Sequence, residues 1–305
     1  MKKVSKLILA TLFVASFFAG CKKEETNGGN SNSAWYEPEN KQRSLMMDFT
    51  ATWCTYCGAW GHPTFNAAET SLGDNAIAFS IQGGSSELAA IQYKQGNDTP
   101  FYALHLAELQ TSLLNVSVSG YPTLCVNNKS GYGPNSNATM VNDANNFNNL
   151  GAVANINFGV TKNATGFNIK STLKFFKVAT GDYHVTFFIT ENKINHRQNV
   201  SGTYVSPYEH NNIVRAFPIS NKKNANTLNS TFGDAVVTGD IAAGKFLNLE
   251  YNYTADTKTS MIPSGWNIFS WNQSNTSNLY LTGIVWKKDA ATGKYIFVNA
   301  TRKAL

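Results

Sequence analysis

The side chains best suited to chemistry are Cys54 and Cys57, three positions apart in the run Trp53-Cys54-Thr55-Tyr56-Cys57. A thiol pair at that spacing serves either thiol–disulfide exchange or metal binding. A zinc site needs two further ligands at suitable spacing. Cys125 stands alone, and His62, His105, His184, His196 and His210 are scattered along the chain. Neither a metal nor another cofactor is expected. One helical turn brings the two sulfurs within bonding reach, so in an exported chain, away from the cytosol's reducing pool, Cys54 and Cys57 can rest as a disulfide. No acid pair, nucleophile triad or phosphate-binding loop stands out elsewhere.

Thiols do useful chemistry only when held in place. Ser44 to Phe49 is a short, mostly apolar run that reads as a buried parallel strand. Phe65, Ala67, Ala68 and Leu72 fall on one face of a helix ending near Gly73-Asp74. Cys54 then stands where a strand turns into a helix. There the free backbone N–H groups and the helix dipole favour a thiolate, lowering its pKa from about 8.5 towards 7 or below. Cys54 is expected to be the exposed attacking sulfur and Cys57 the buried resolving one. Trp53 either contacts substrate or shields the thiols. His62, five positions past Cys57 and off its helical face, is expected at the surface. Asn75 to Ile81 reads as the next strand. Leu88, Ile91, Tyr93, Leu104, Leu109 and Leu113 suggest inserted helices between Gln82 and Asn115. Cys125, in the apolar strand Leu124-Cys125-Val126, is expected to be buried and inert. Met140, Val141, Ala144, Phe147 and Leu150 recur at helical spacing.

The run from Asp48 to Cys57 resembles the thioredoxin superfamily. The resemblance implies an α/β fold, here with a helical insertion. It implies that Asp48, six positions before the first Cys, handles the proton of the resolving thiol. Downstream, Val118-Ser119-Gly120-Tyr121-Pro122-Thr123-Leu124 is similar to the family's proline loop. The resemblance implies a cis Tyr121–Pro122 peptide lying against the cysteines, with Gly120 and Tyr121, alongside Thr55 and Tyr56, meeting the substrate chain. Pro63 stands six residues after Cys57, where thioredoxins place a helix-kinking proline at five, and Gly58 and Gly61 are expected to loosen the first turns.

From Ala152 the apolar residues shift to a period of two. Runs at 153–158, 167–175, 184–190, 246–251, 279–286 and 295–298 read as strands, separated by Gly166, Thr180-Gly181-Asp182, Pro263-Ser264-Gly265 and Ala291-Thr292-Gly293. With no clear helical segment among them, they suggest an all-β antiparallel sandwich of immunoglobulin-like type. His210 to Arg215 reads as a polar strand edge there, with a binding site as the other reading.

The N-terminus carries a targeting signal. Lys2, Lys3 and Lys6 precede an apolar run from Leu7 to Ala19. Thirteen helical residues span about 20 Å, against about 30 Å of bilayer core, so the run reads as a secretory signal and not as an anchor. Phe18-Ala19-Gly20-Cys21 resembles a bacterial lipobox, which implies cleavage before Cys21 and its acylation, for stable membrane attachment. The Asn-, Gly- and Ser-rich tract that follows reads as a flexible tether. The chain of 305 residues has a net charge of +6, half of it from those three signal-peptide lysines. It shows no basic stripe with interleaved aromatics, so a nucleic-acid partner is not expected. Hydrophobic residues at 42% rule out disorder for the bulk of the chain, while only 14% are charged, which suits an exported protein.

The expected organisation is a signal peptide (1–20), a tether (21–42), a thioredoxin-like domain (43–150) and a β-sandwich (151–305). With Tyr208 to Arg215 in its β half, this layout resembles an outer-membrane lipoprotein family of the Bacteroidota named for a 28-kDa member. The expected function is a lipid-anchored thiol-disulfide oxidoreductase of the outer membrane, facing the periplasm or the cell exterior. Its partners would be proteins carrying thiols or disulfides, and a redox partner protein. The competing reading is a surface binding or adhesion lipoprotein whose thioredoxin-like half is a scaffold with a structural disulfide.

Overall fold

A computed structural model of the chain describes residues 33–83, 113–215, 232–233, 235–254 and 274–305. The expected signal peptide, Cys21 and the inserted helices lie outside the described residues, apart from the insertion's ends. Strands make up 51% of the described residues, and helices are few.

The first half runs β1 (Ser44–Thr50), α1 (His62–Leu72), β2 (Ala76–Gln82), β3 (Thr123–Val126), β4 (Lys129–Tyr132) and α2 (Asn137–Asn149). β1 pairs parallel with β2 and antiparallel with β3. Every residue of β1 is buried, because both faces of the strand are covered. Met46 faces the helices, in a core with Phe65, Ala68, Leu72, Leu124, Met140 and Ala144. Leu45, Met47 and Phe49 face the other way, against Phe79, Ile81, Phe188, Ile284, Trp286 and Phe297. Each such side chain contributes about 1.5–3 kcal/mol on burial. Asp48 shares the parity of Met46. It is the one carboxylate on a strand otherwise made of apolar and hydroxyl side chains.

The second half runs β5 (Ala154–Asn163), β6 (Gly166–Phe175), β7 (Ala179–Thr180), β8 (Asp182–Glu191), β9 (Ile194–Val200), β10 (Thr203–His210), β11 (Ile213–Val214), β12 (Ala235–Val237), β13 (Asp240–Ile241), β14 (Phe246–Thr254), β15 (Leu279–Lys288) and β16 (Tyr295–Ala304). β14, β6 and β5 form a three-stranded antiparallel sheet. Its inner residues, among them Ile156, Phe158, Ile169 and Tyr251, share a core with Val185, Phe187, Leu281 and Val285 of β8 and β15. The Phe158 and Phe187 rings meet edge to face at 5.2 Å.

Strands β8, β15 and β16 do not form a sheet of their own. The order β16-β15-β8-β11-β2-β1-β3-β4 is continuous. Two-residue β11 makes the join, with Ile213 parallel to Ser80 of β2 and Val214 antiparallel to Thr190 of β8. One sheet therefore joins strands from both sides of residue 150, where the sequence suggested a boundary. β9 and β10 form a separate hairpin.

The tract expected to be tether, 21–42, includes residues that lie along the β half. Trp35 and Tyr36 donate their backbone N–H groups to Thr172 Oγ1 at 3.0 and 3.1 Å. Asn157 donates to the Glu37 carbonyl at 2.8 Å, Asn155 to Glu39 at 2.9 Å and Asn299 to Lys41 at 2.9 Å. Some of the chain's abundant asparagines thus bind backbone, a task the short amide side chain suits because it both donates and accepts.

Candidate functional site

Cys54 and Cys57 are joined as a disulfide, with Cα atoms 5.3 Å apart. The helical backbone begins at Thr55, so Cys54 stands just before its first turn, as expected. The Cys57 N–H donates to Cys54 Sγ at 3.1 Å. The expected ranking of exposure holds, at 5% for Cys54 and 0% for Cys57, but Cys54 is buried and not open. Trp53 and Tyr121 pack on the pair, their rings edge to face at 6.0 Å. Thr55 is half-buried and Tyr56 is exposed.

The first full turn is not α-helical. Cys57–Gly61 is π-helix, and the His62 N–H reaches back five residues to the Cys57 carbonyl. Pro63, at the opening of α1, has no N–H to offer the carbonyl four residues earlier, and a wider turn accommodates that loss. The extra residue overturns the expectation for His62. A spacing of five is off-face in an α-helix but returns to the same face in a π turn. His62 is buried. Its Nε2 lies 2.8 Å from Thr50 Oγ1 and 3.5 Å from Asp48 Oδ2, and its Nδ1 lies 3.1 Å from the Tyr208 hydroxyl.

Asp48 is fully buried. Among the described residues neither of its carboxylate oxygens has a hydrogen-bond partner. Burial pushes its carboxyl up to about 8, so it holds a proton at neutral pH. Burial also lowers the His62 imidazole to about 4 and, with the charge of His62 adding to it, His210 to about 3. Cys125 is buried, and desolvation, then the neighbouring Asp48 charge, raise its thiol to about 12. It cannot act as a nucleophile at neutral pH.

Two loops close on this helix opening. From the first half comes the Tyr121–Pro122 peptide, which is cis. A Cβ on Gly61 would lie 2.8 Å from the Pro122 ring. Gly120 is exposed, and its carbonyl accepts from Thr123 Oγ1 at 2.6 Å. From the second half comes the β9–β10 hairpin. The Asn199 N–H donates to the Thr52 carbonyl at 2.8 Å and the Ser201 N–H to that of Thr55 at 3.3 Å. The buried Gln198 amide donates to the carbonyls of Ala51 at 3.1 Å and Cys54 at 3.2 Å. A Cβ on Gly58 would overlap the Asn199 carbonyl oxygen. Gly58 and Gly61, expected to loosen the helix, are instead the two points where neighbouring chain presses onto it.

Sequence reasoning missed the hairpin. The strand Ile194 to Val200 is mostly polar, so it carries no alternating apolar signal. Its local mark is the Ser201-Gly202 turn, where both residues have positive φ. The hairpin also gathers histidines that look dispersed in sequence: the His62 ring lies 5.9 Å from that of His210, which lies 6.5 Å from His196. Among the described residues, however, no group of His, Cys, Asp and Glu is arranged to hold a metal ion. No helix among them is long and apolar enough to cross a membrane.

No family model and no curated protein matches the sequence. Among solved structures, the fold is similar to HBP35 of Porphyromonas gingivalis, a member of the Bacteroidota, with a TM-score of 0.60 at 17% identity, covering 88% of this chain and 77% of that one. A protein from Agrobacterium tumefaciens aligns with a TM-score of 0.47 at 10% identity, over 87% of this chain and 96% of that one. At such identities the HBP35 likeness speaks for the fold alone.

Proposed function

We propose that this chain is a thioredoxin-like thiol-disulfide oxidoreductase, anchored by a lipid on Cys21 to the outer membrane and facing the periplasm or the exterior. The observation that carries the reading is the Cys54–Cys57 disulfide at the opening of a helix, with Pro122 packed one turn away on Gly61. In this reading the Cys54 thiolate attacks a protein disulfide and forms a mixed disulfide. Cys57 then displaces the substrate sulfur, while Asp48 exchanges a proton with Cys57. Trp53 shields the pair, and Gly120, Tyr121, Thr55 and Tyr56 border the approaching substrate chain. The same steps run in reverse oxidise a dithiol, so a protein redox partner sets the direction.

The test is a trap. The full-length protein carrying Cys57→Ser is expected to accumulate mixed disulfides through Cys54 that reductant dissolves and that Cys54→Ala does not form. Absence of any such adduct, together with no exchange activity above that of Cys54→Ala, sinks the reading. One observation favours the alternative of a binding lipoprotein with a structural disulfide: the hairpin and Trp53 leave Cys54 only 5% exposed. Under that alternative the disulfide's potential lies below about −300 mV and no turnover is seen.

A further inference from the structure

The carboxylate that must give and take a proton in this reading has no surface of its own. Asp48 is 0% exposed. His62 Nε2 lies 3.5 Å from its Oδ2 and 2.8 Å from Thr50 Oγ1, and the other ring nitrogen lies 3.1 Å from the Tyr208 hydroxyl. Tyr208 is half-buried on β10, a strand whose residues 203–207 are all exposed. A carboxyl, an imidazole and a phenol thus form a file from the buried strand β1 to the solvent-facing hairpin. The imidazole can accept at one nitrogen while it releases at the other. Nothing in the sequence places Tyr208 beside His62, 146 positions earlier; the hairpin does.

We propose that His62 and Tyr208 form the proton path between Asp48 and solvent, so that the β half serves the chemistry of the thiol pair. The inference rests on the oxidoreductase reading for the step between Asp48 and Cys57. Both are positioning residues, since they act through Asp48. Reduction by a dithiol balances as follows. A thiolate of the reductant attacks Cys54 Sγ, the Cys54–Cys57 bond breaks, and its electron pair leaves on Cys57 Sγ. That sulfur takes the proton of the Asp48 carboxyl. The reductant's second thiolate then attacks its own sulfur in the mixed disulfide, leaves as an oxidised disulfide and frees Cys54 as a thiolate. The reductant's two protons go to solvent. One returns to Asp48 through Tyr208 and His62, with the imidazole changing tautomer. The raised pKa of Asp48 makes that return favourable at neutral pH. The titratable groups beside the file are Cys125 on β3, whose thiol feels the Asp48 charge, His210 on β10, whose ring meets those of His62 and Tyr208, and, behind it, His196 on β9. Among these, burial keeps Cys125 and His210 neutral at pH 7.

The experiment follows reduction of the full-length protein's own disulfide by dithiothreitol, reading Trp fluorescence for the bond and an indicator dye for protons in solvent. Cys57 draws on a proton already stored on Asp48, so Tyr208→Phe and His62→Gln should reduce at the wild-type rate. In the wild type, proton return should keep step with reduction. In both variants it should lag, by about tenfold or more, as expected when a positioned acid–base group is removed. A lag seen in Tyr208→Phe, whose phenyl ring keeps the packing, establishes the path even if His62→Gln folds poorly. Proton return in step with reduction in both variants overturns it. Because the measurement needs no substrate protein, a failure of the trapping experiment above and a failure of this one can be told apart.

Discussion

The two flanks of the same helix opening are built from opposite materials. On one side Pro122, Trp53 and Tyr121 lie against Gly61 and the cysteines, all rings, with no charged group among them. On the other side the β9–β10 hairpin brings Gln198, Tyr208 and His210. The first flank comes from residues within 70 positions of Cys54, the second from the far half of the chain. The apolar flank keeps water from the sulfurs, while the polar flank binds the loop's carbonyls and reaches the buried carboxyl. In the proposed oxidoreductase, a site that excludes solvent and still trades protons needs both.

The sharpest way to break the polar flank is Gly58→Ala. The new methyl meets a backbone oxygen, which cannot swing aside as a side chain can. A loss of about 3 kcal/mol is expected in urea unfolding, at the upper end for overpacking, with Cys54 becoming more reactive to alkylating agents in the reduced protein. If stability is unchanged, the hairpin does not press on the helix in solution.

Asp48→Asn tests the cost of the buried acid. With its carboxyl raised from 3.8 to about 8, keeping Asp48 protonated at pH 7 costs about 4 kcal/mol by linkage. A buried amide does not titrate and costs about 2 kcal/mol at any pH, so a gain of about 2 kcal/mol is expected at pH 7 and a loss of about 1–2 kcal/mol near pH 4. The sign follows from proton counts. The folded Asp48 binds the proton more tightly than the unfolded one, so its stabilisation is present below about 4 and is lost as pH rises towards 8. The histidines act oppositely. His62 and His210 fall from 6.5 to about 4 and about 3, so stability is lost as pH drops below 6.5. These three groups together place the stability maximum near pH 6.5, and Asp48→Asn should flatten only its alkaline side. A thermal melting series across pH 4 to 9 checks both statements.

The smallest effect is expected on the rim. Tyr56 is 63% exposed, so Tyr56→Ala should change stability by less than about 0.5 kcal/mol. If Tyr56 borders the substrate, the same change should still slow reduction of a protein disulfide while leaving reaction with dithiothreitol alone.

The apolar flank was largely legible in the sequence, because its parts are local. The buried run of β1, the helix face from Phe65 to Leu72 and the strand at Leu124 all carry apolar periodicity, and Tyr121–Pro122 precedes its strand directly. The long strands of the β half, β5, β6, β8, β14, β15 and β16, were equally readable from their apolar pattern. The polar flank was not. His62 was placed by counting at 3.6 residues per turn, and a single widened turn defeats that count. β9 buries His196, Arg197 and Gln198, a choice invisible to a method that equates burial with apolar side chains. The join through Ile213 and Val214 was hidden too, since two residues make no pattern.

That short join has a mechanical consequence. Edge strands of two independent lobes would let them swing or melt separately. Here Ile213 and Val214 hydrogen-bond both lobes into one ladder, so hinge opening would have to tear backbone bonds in the middle of a sheet. The described architecture should therefore denature in one step. Cutting the chain near residue 150 should leave two pieces that stay associated, each supplying strands the other needs.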